Sequence, residues 1–452
     1  MQLPPAQRSR PLTILMAADV DPIAVIGGAE RVLNEHSKRL AARGHRVIVL
    51  TRREDPARPT HEIFSGVEVY RHPVCQGNPV TFMRSTIREG ARAVSQILAR
   101  ESIDLINVHQ PLAASAVLHA PGATRYPFVY TFLSPWADEF RVRAKARSTR
   151  DGRRLSNTLR WAIIKAGACA RRRIENHALA ACRRILVLSD FSADQLWSIH
   201  GIGGERITRI PGGVDADRFR PVSDRHALRR ALGRPTDGLL LFTVRNLVPR
   251  MGLENLLEAM VPVVQARPDV HLVIGGTGPL RDALHAQTDR LGLSEHVTFA
   301  GFIAEDLLPK YYAAADLFVL PTALLEGFGL VTIEALACGT PAVGTPIGGT
   351  QEILRDLDPR FLFRSPSADD IAAGLLERIP EVAGNQALRA RCRQFVEERY
   401  SWEAVIPRLE ALFYATAGLP GPDPREVGAP AWASAEDGSG GGHSADGVQR
   451  HS

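Results

Sequence analysis

Two doubly wound α/β domains are what this sequence predicts, and three observations carry the prediction. Apolar runs of strand length alternate with segments of helical periodicity along nearly the whole chain, the pattern of parallel sheets covered by helices. The alternation comes in two series, divided near a loop rich in Gly, Asp and Pro, "IPGGVDADRFRP" at 210–221. Each run of the second series is followed by helical periodicity or by a Gly-rich turn, and in open sheets that edge is where ligands bind. The 452 residues suffice for two domains of ordinary size plus extras. We assign 1–205 to the first domain and 206–398 to the second. A final helix at 399–417 and a tail at 419–452 follow.

The first series opens with "LTILMA" (12–17), a Gly-rich turn and a helix from about Gly28 to Arg43 that Gly44 stops. The strands "VIVLT" (47–51), "IDLINVH" (103–109), "PFVYTF" (127–132) and "RILVLS" (184–189) come next. The second series runs through "GLLLFTV" (238–244), "HLVIGG" (271–276), "HVTFAGF" (296–302), "DLFVLP" (316–321), "TPAVGT" (340–345) and "RFLF" (360–363). The segment 399–417 has its apolar positions on one helix face and should pack on the body. Residues 419–452 are rich in Gly, Pro, Ser and charge; they cannot bury a core and are expected to be disordered.

Composition narrows the function classes. Hydrophobic residues at 45% and charged residues at 23% are those of a soluble globular protein. No apolar run approaches the length of a membrane span, and the short run near the N-terminus reads as a first strand rather than a signal peptide. The five cysteines (Cys75, Cys169, Cys182, Cys338 and Cys392) form no C-x-x-C pair, which argues against a zinc site or disulfide framework and fits a reducing cytoplasm. The formal charge of +6 is modest, but residues 141–173 hold twelve Arg or Lys and one acid, Asp151. This stretch is either a solvated basic helix or a surface for an anionic partner, membrane phosphates or an acidic acceptor. Nucleic acid fits less well, since no aromatic interleaving or binding module accompanies the charge.

The segment "EGFGLVTIEALACGTP" (326–341) carries the chemistry. Glu326 stands in the loop after a buried strand, and Glu334 stands inside a short, otherwise apolar helix closed by Gly339. A buried carboxylate needs a partner. The functional reading is that both bind hydroxyls of a sugar nucleotide, while backbone N–H groups around Phe328, Gly329 and Leu330 bind its diphosphate at the helix N-terminus. The structural reading is a capping Glu326 and a Glu334 paired with an arginine. Gly-Phe-Gly between them, at this edge of the sheet, favours the functional one.

Glu, seven residues and Glu around G-F-G, followed by A-x-G-x-P, resembles the retaining glycosyltransferases of family 4, whose GT-B fold sets two Rossmann-like domains about a cleft. "IGGAERVL" (26–33), "IPGGVDADRF" and "GTPIGGTQEIL" (344–354) resemble further segments of that family, so the likeness covers nearly the whole chain to about residue 417. The resemblance implies that the final helix crosses back onto the first domain. It implies that Glu326 holds donor-sugar hydroxyls where the new bond forms, that Glu334 binds the ribose, and that Phe328, Gly329 and Leu330 offer N–H groups to sugar and phosphate. Gly27 and Gly28 would let the first domain's loop approach the donor phosphates and acceptor, and the Gly275 to Gly278 turn would lie near the base. No metal or other cofactor is implied.

The departures from the family pattern are informative. Asn246 and Met251 occupy the positions of the Arg and Lys that neutralise the donor diphosphate in the family. Arg245 and Arg250 are their neighbours; Arg250 is the first choice for the missing charge and Arg245 the second, since the leaving group needs a cation or helix terminus. Leu133 stands where many relatives place a His toward the donor sugar, which points to a pentose or 6-deoxy donor, unless a water or His109 takes over and a hexose is used. Asp138 and Glu139, after Trp136, would receive a hydroxylated or amino acceptor. The expected protein is a transferase of the cytoplasm or of its membrane surface that moves a sugar from a nucleotide donor to a small-molecule or lipid acceptor. The Arg-, Ala- and Gly-rich composition suggests a high-GC bacterium, with antibiotic assembly (aminoglycosides included) or envelope glycolipid synthesis as settings. A non-catalytic sugar-nucleotide-binding protein would explain Asn246, Met251 and Leu133, and a sugar-nucleotide epimerase of the same shape is the other alternative.

Overall fold

Thirteen strands in two sheets meet across a cleft in the computed structural model, which describes residues 10–24, 27–148 and 157–422. The first sheet contains β1 (Thr13–Ala17), β2 (Arg46–Arg53), β3 (His61–Phe64), β4 (Val67–Pro73), β5 (Leu105–Val108), β6 (Phe128–Phe132), β7 (Arg184–Val187) and β8 (Ile207–Arg209). Their order is β3-β4-β2-β1-β5-β6-β7-β8. The second sheet contains β9 (Leu239–Val244), β10 (Val270–Gly275), β11 (Val297–Gly301), β12 (Leu317–Leu320) and β13 (Ala342–Gly344), ordered β11-β10-β9-β12-β13. Every pairing is parallel except that of β3 with β4. Ile14, Leu15 and Met16 of β1 and Leu317, Phe318 and Val319 of β12 are completely buried, as strands covered by helices on both faces must be.

Three elements differ from the sequence expectation. The β3–β4 hairpin turns at Ser65-Gly66, both at positive φ (48° and 79°), a two-residue connection between short alternating segments. "RFLF" is not a strand. Pro359 opens a single 3-10 turn over Pro359–Phe361, the Asp358 side chain accepts from the Arg360 N–H, and only Leu362 bridges Gly344. Finally, β8 pairs with β7, so the first sheet extends to Arg209, beyond the boundary assigned at 205.

The chain crosses between the domains twice, and the two crossings are bonded together. Val214 N–H donates to the Tyr400 carbonyl at 2.8 Å, and Val214 bridges Ser401. Gly213 leaves no space for a side chain: a Cβ would stand 2.4 Å from the Trp402 ring. After the second crossing the helix Trp402–Ala417 lies on the first sheet. Its Val405, Leu409 and Phe413 share a core with Ile14, Met16, Val129 and Leu186. Ser401 caps its start and Gly418, at φ 69°, its end. Of the predicted tail, residues 423–452 lie outside the described residues, as do 149–156 of the basic stretch.

Candidate active site

The loops that leave the C-terminal ends of β1, β6, β9, β10, β11 and β12 all face the cleft. The loop after β12 is built to hold one carboxylate in place. Leu325 adopts a left-handed φ of 55°, an unusual conformation for a branched residue, directly before Glu326. Its carbonyl accepts from Arg250 Nη1 at 2.7 Å, while the Arg250 carbonyl accepts from the N–H groups of Ala323 and Leu324. The turn at Gly348-Gly349 supports the loop from behind. Gly349 N–H donates to the Glu326 carbonyl at 2.9 Å, and a Cβ on Gly348 would fall 2.0 Å from that oxygen. From the first domain, Ser189 Oγ donates to the Gly327 carbonyl at 2.6 Å. Gly329, at φ 99°, turns the chain into the helix Leu330–Ala337; a side chain there would collide with Thr350.

The Glu326 side chain receives Arg245 Nη2 at 2.5 Å. Arg245 is buried and also donates to Thr322 Oγ1 at 3.1 Å. Met251 explains why this arginine points inward: the side chain is buried, and its Sδ lies 2.8 Å from Arg245 Nη2. An apolar residue at the position of the family's Lys thus forms the floor on which the Arg245 guanidinium reaches Glu326. Arg250 is half-buried beside it, with no carboxylate in ion-pair range among the described residues. Burial, and then the neighbouring Arg245 charge, pull its pKa down.

Glu334 is buried and doubly held. Tyr312 donates its hydroxyl at 2.9 Å, and Arg31 Nε from the first domain lies 3.3 Å away. Arg31 also bonds Glu305 at 2.7 Å, and Glu305 accepts from Arg218 at 2.7 Å. Burial raises the Glu334 pKa, with Arg31 and Tyr312 opposing. Burial alone would lower the Arg31 pKa, but Glu334 and Glu305 hold it above its ordinary value. The pairing with an arginine that the structural reading anticipates is therefore present. That arginine comes from across the cleft, however, and both residues border the cavity described next.

A cavity of about 350 Å³ opens between the domains. From the second domain it is lined by Arg245, Asn246, Arg250, Glu326 and the segment Phe328, Gly329 and Leu330, with Glu334 at its base. From the first domain come Gly27, Gly28, Leu133 and Glu139. The glycine turn after β10 reaches it through Gly276 and Thr277 rather than Gly275 and Gly278. Gly278 packs on the Leu247 backbone, and Gly275 packs on Ile303. A second cavity of about 570 Å³ adjoins the first and shares Gly27, Gly28, Leu133, Glu139, Asn246 and Arg250 with it. His109 belongs to this second cavity and not to the surroundings of Glu326. It is buried, its Nε2 meets Asn107 Oδ1 at 2.8 Å, and burial pushes its pKa down to about 3, so it is a neutral ring and not a cation. Asp138 borders neither cavity and pairs with Arg141 at 2.7 Å. Glu139 accepts from Ser134 at 2.6 Å and pairs with Arg143.

Sequence reasoning did not find Arg31, Glu305, Tyr312 or Phe302. Phe302 is 70% exposed at the rim of the first cavity, an aromatic face available for a planar ring. Its signal was the Gly-Phe at the end of β11, Gly301 and Phe302; the other three are found only through contacts distant in sequence.

Comparison with known proteins gives a consistent result. A family profile described as Glycosyltransferase Family 4 matches residues 26–218, and one described as Glycosyl transferases group 1 matches residues 224–399. D-inositol 3-phosphate glycosyltransferase of Thermomonospora curvata is 30% identical over 412 residues, covering 86% of this chain and 90% of that protein. Phosphatidyl-myo-inositol mannosyltransferase of Mycobacterium tuberculosis is 28% identical, covering 87% and 94%. Among solved structures, the sucrose-phosphate synthase of Thermosynechococcus elongatus superposes with a TM-score of 0.72 at 24% identity, covering 90% and 99% of the two chains. Anabaena Alr3699/HepE in complex with UDP-glucose superposes with 0.67 at 20%, covering 89% and 100%. At these identities the structures attest the two-domain fold.

Proposed function

The chain belongs to the glycosyltransferases of family 4, and from that premise and the geometry of the cleft we propose that it moves a sugar from a nucleoside-diphosphate donor to a hydroxylated acceptor with retention at the anomeric carbon. The observation that carries this reading is the pair Glu326 and Glu334 on one cavity wall, with the N-terminus of the helix Leu330–Ala337 between them and Arg245 and Arg250 beside it. The donor diphosphate lies at that helix start, where free N–H groups and the helix dipole favour an anion. Arg250 supplies the positive charge that Met251 does not. Arg245 fixes the Glu326 carboxylate, which accepts hydroxyls of the sugar, and so positions rather than touches the donor. Glu334 takes the ribose hydroxyls in exchange for Arg31, which keeps Glu305. Phe302 stacks on the base. A bound UDP-glucose in the neighbour Alr3699/HepE supports a donor of this class.

The acceptor enters through the second cavity and meets the donor at the wall shared by Leu133, Asn246 and Arg250. The C1–O bond to the leaving phosphate breaks, the acceptor oxygen bonds C1 on the same face, and its proton leaves with the diphosphate. The arginines and the helix start meet the phosphate charge, so chelation with EDTA should leave turnover unchanged. The test is incubation of the purified chain with UDP- and GDP-sugars, with nucleoside diphosphate release and the product anomer read by NMR. An α-linked product from an α-linked donor supports the reading, whereas an inverted product refutes retention and absence of any donor turnover refutes catalysis.

The setting is envelope lipid or antibiotic glycosylation. No helix among the described residues is long and apolar enough to cross a membrane. The helix Asn157–Ala181, however, carries Leu159, Trp161 and Ile163, each about half exposed, in its first turns, with Lys165, Arg172 and Arg173 further along it. Apolar side chains among cations suit a surface that rests on anionic lipid. Co-sedimentation with phosphatidylglycerol vesicles should be strong at low salt and weaker near 0.15 M, where charges are screened beyond about 8 Å. No sedimentation at low salt would leave the solvated-helix reading.

A further inference from the structure

The second cavity gathers buried polar atoms that the protein itself leaves without a hydrogen-bond partner. Asp19 Oδ1, Arg52 Nε, His109 Nδ1 and Gln110 Nε2 are in this condition among the described residues. All four residues line this cavity and none lines the one that holds Glu326. They stand on three adjacent strands of the first sheet: Asp19 follows β1, Arg52 is near the end of β2, and His109 and Gln110 follow β5. That edge is where open α/β sheets bind ligands. One buried polar atom without a partner is costly, and several in one place call for a ligand that completes them.

The bonds these side chains do make fix what each free atom offers. Asp19 Oδ2 accepts from the Leu112 N–H at 3.3 Å, at the start of the helix Pro111–His119, so Oδ1 is the acceptor left over. The Asp19 N–H donates to Gln110 Oε1 at 2.7 Å, which orients that amide and leaves Nε2 as a donor. Asn107 Nδ2 donates to Thr131 Oγ1 at 2.9 Å, so Asn107 Oδ1 accepts from His109 Nε2 at 2.8 Å. The proton of this neutral ring is thus on Nε2, and Nδ1 presents a lone pair. Arg52 pairs with the exposed Glu54 through Nη2 and rests on the Phe82 ring, which leaves its Nε–H as the second donor. The set is two acceptors and two donors, of mixed charge. A phosphate here would face the Asp19 carboxylate, and an ammonium would face the Arg52 guanidinium. A hydroxyl suits both, because it donates one hydrogen bond and accepts others. Two neighbouring hydroxyls of a ring can donate to Asp19 and His109 and accept from Gln110 and Arg52.

We propose that Asp19, Arg52, His109 and Gln110 recognise an uncharged vicinal diol on the acceptor ring and are the residues that select the acceptor. The inference rests on the proposed transfer only for calling the ligand an acceptor; the diol site stands on its own residues. A sugar ring and a cyclitol ring present the same group.

Ligand NMR titration of the full chain tests it, with saturating nucleoside diphosphate to occupy the first cavity. Methyl α-glucopyranoside is the sugar probe, myo-inositol the cyclitol probe, and glucose 6-phosphate and glucosamine are their charged counterparts. At least one neutral ring should bind, and the one that binds identifies the ring. Asp19→Asn keeps the bond from Leu112 and removes the charge, and Gln110→Glu keeps the bond from the Asp19 N–H and turns the free donor into an acceptor. Each should weaken the neutral ring by about tenfold to a hundredfold, the loss of one hydrogen bond to a charged or buried group. Arg52→Gln should weaken it as well. Nucleoside diphosphate affinity should stay unchanged in all three variants, which also reports that they fold; the isosteric Asp19→Asn and Gln110→Glu keep the test decisive if Arg52→Gln does not. The signs discriminate between ligand charges. An anion at this site would bind Asp19→Asn more tightly than wild type and Arg52→Gln more weakly, and a cation would do the reverse. Either pattern for a charged probe that outbinds both neutral rings would overturn the proposal, as would binding of neither neutral ring, or equal binding by wild type, Asp19→Asn and Gln110→Glu. Failure of the wild type to bind nucleoside diphosphate would instead count against the donor reading alone.

Discussion

Arg245 shows what one residue's surroundings decide. It stands one position before the family's diphosphate-binding Arg, and the sequence left open whether it turns inward. The buried Met251 beneath it and Glu326 at 2.5 Å settle its direction. No sequence pattern carries this, because a side chain at a strand end follows the local backbone. Leu133 is the opposite case. The sequence showed the missing His, and the structure places Leu133 in both cavity walls, with its carbonyl close enough to Gly327 that a Cβ there would meet it at 2.6 Å. His109 lines the second cavity, which Leu133 also borders, and does not line the cavity that holds Glu326. A C6 hydroxyl left unpaired against Leu133 costs about 1 to 3 kcal/mol. We therefore expect kcat/KM for UDP-xylose to exceed that for UDP-glucose, by at most about a hundredfold, since an apolar wall rejects a hydroxyl weakly. Leu133→His should narrow the gap; a clear preference for glucose would contradict the prediction.

At the level of elements, long apolar runs were legible and short ones were not. The strands of "LTILMA" and "GLLLFTV" were plain from their unbroken apolar character, whereas the β3–β4 hairpin is too short and too polar to stand out. "RFLF" has strand composition, yet Pro359 and Asp358 commit it to a turn. The final helix was legible as amphipathic, but its anchor was not. Glu410 accepts from His45 Nε2 at 2.8 Å and from Arg43 at 2.6 Å, and His45 Nδ1 accepts from the Leu12 N–H, which places the imidazole proton on Nε2. Burial alone would raise the Glu410 pKa, but the bonds from His45 and Arg43 hold it below the ordinary value of 4.5. A depressed folded pKa means that this stabilisation is complete above the unfolded value and is lost as pH falls through the folded one. Glu410→Gln should cost about 1 to 3 kcal/mol at neutral pH. Melting curves of both proteins should converge as pH falls through the depressed folded pKa of Glu410; a gap unchanged in acid would argue against the anchor. Truncation after residue 422 should leave stability intact, whereas truncation before Tyr400 exposes the face that Val405, Leu409 and Phe413 cover and should prevent folding.

Across the whole molecule, contacts from both domains converge on the segment that bears the two glutamates. Arg31 reaches Glu334, and Ser189 reaches the Gly327 carbonyl. Glu352 on the second domain accepts from the N–H groups of Asp190 and Phe191 at the start of a helix of the first. The motif around Glu326 was readable because local spacing encodes it. The cross-cleft partners were not, because the fold alone brings them together. The central claim is that Glu326 serves the sugar and Glu334 the nucleoside, and calorimetry of nucleoside diphosphate binding to single variants tests it most directly. Glu326→Ala should lose turnover while binding the free nucleoside diphosphate as wild type does. Glu334→Ala should weaken that binding by about 1 to 3 kcal/mol, the loss of a charged hydrogen-bonding partner. Equal loss of nucleoside diphosphate binding in the two variants would contradict the assignment.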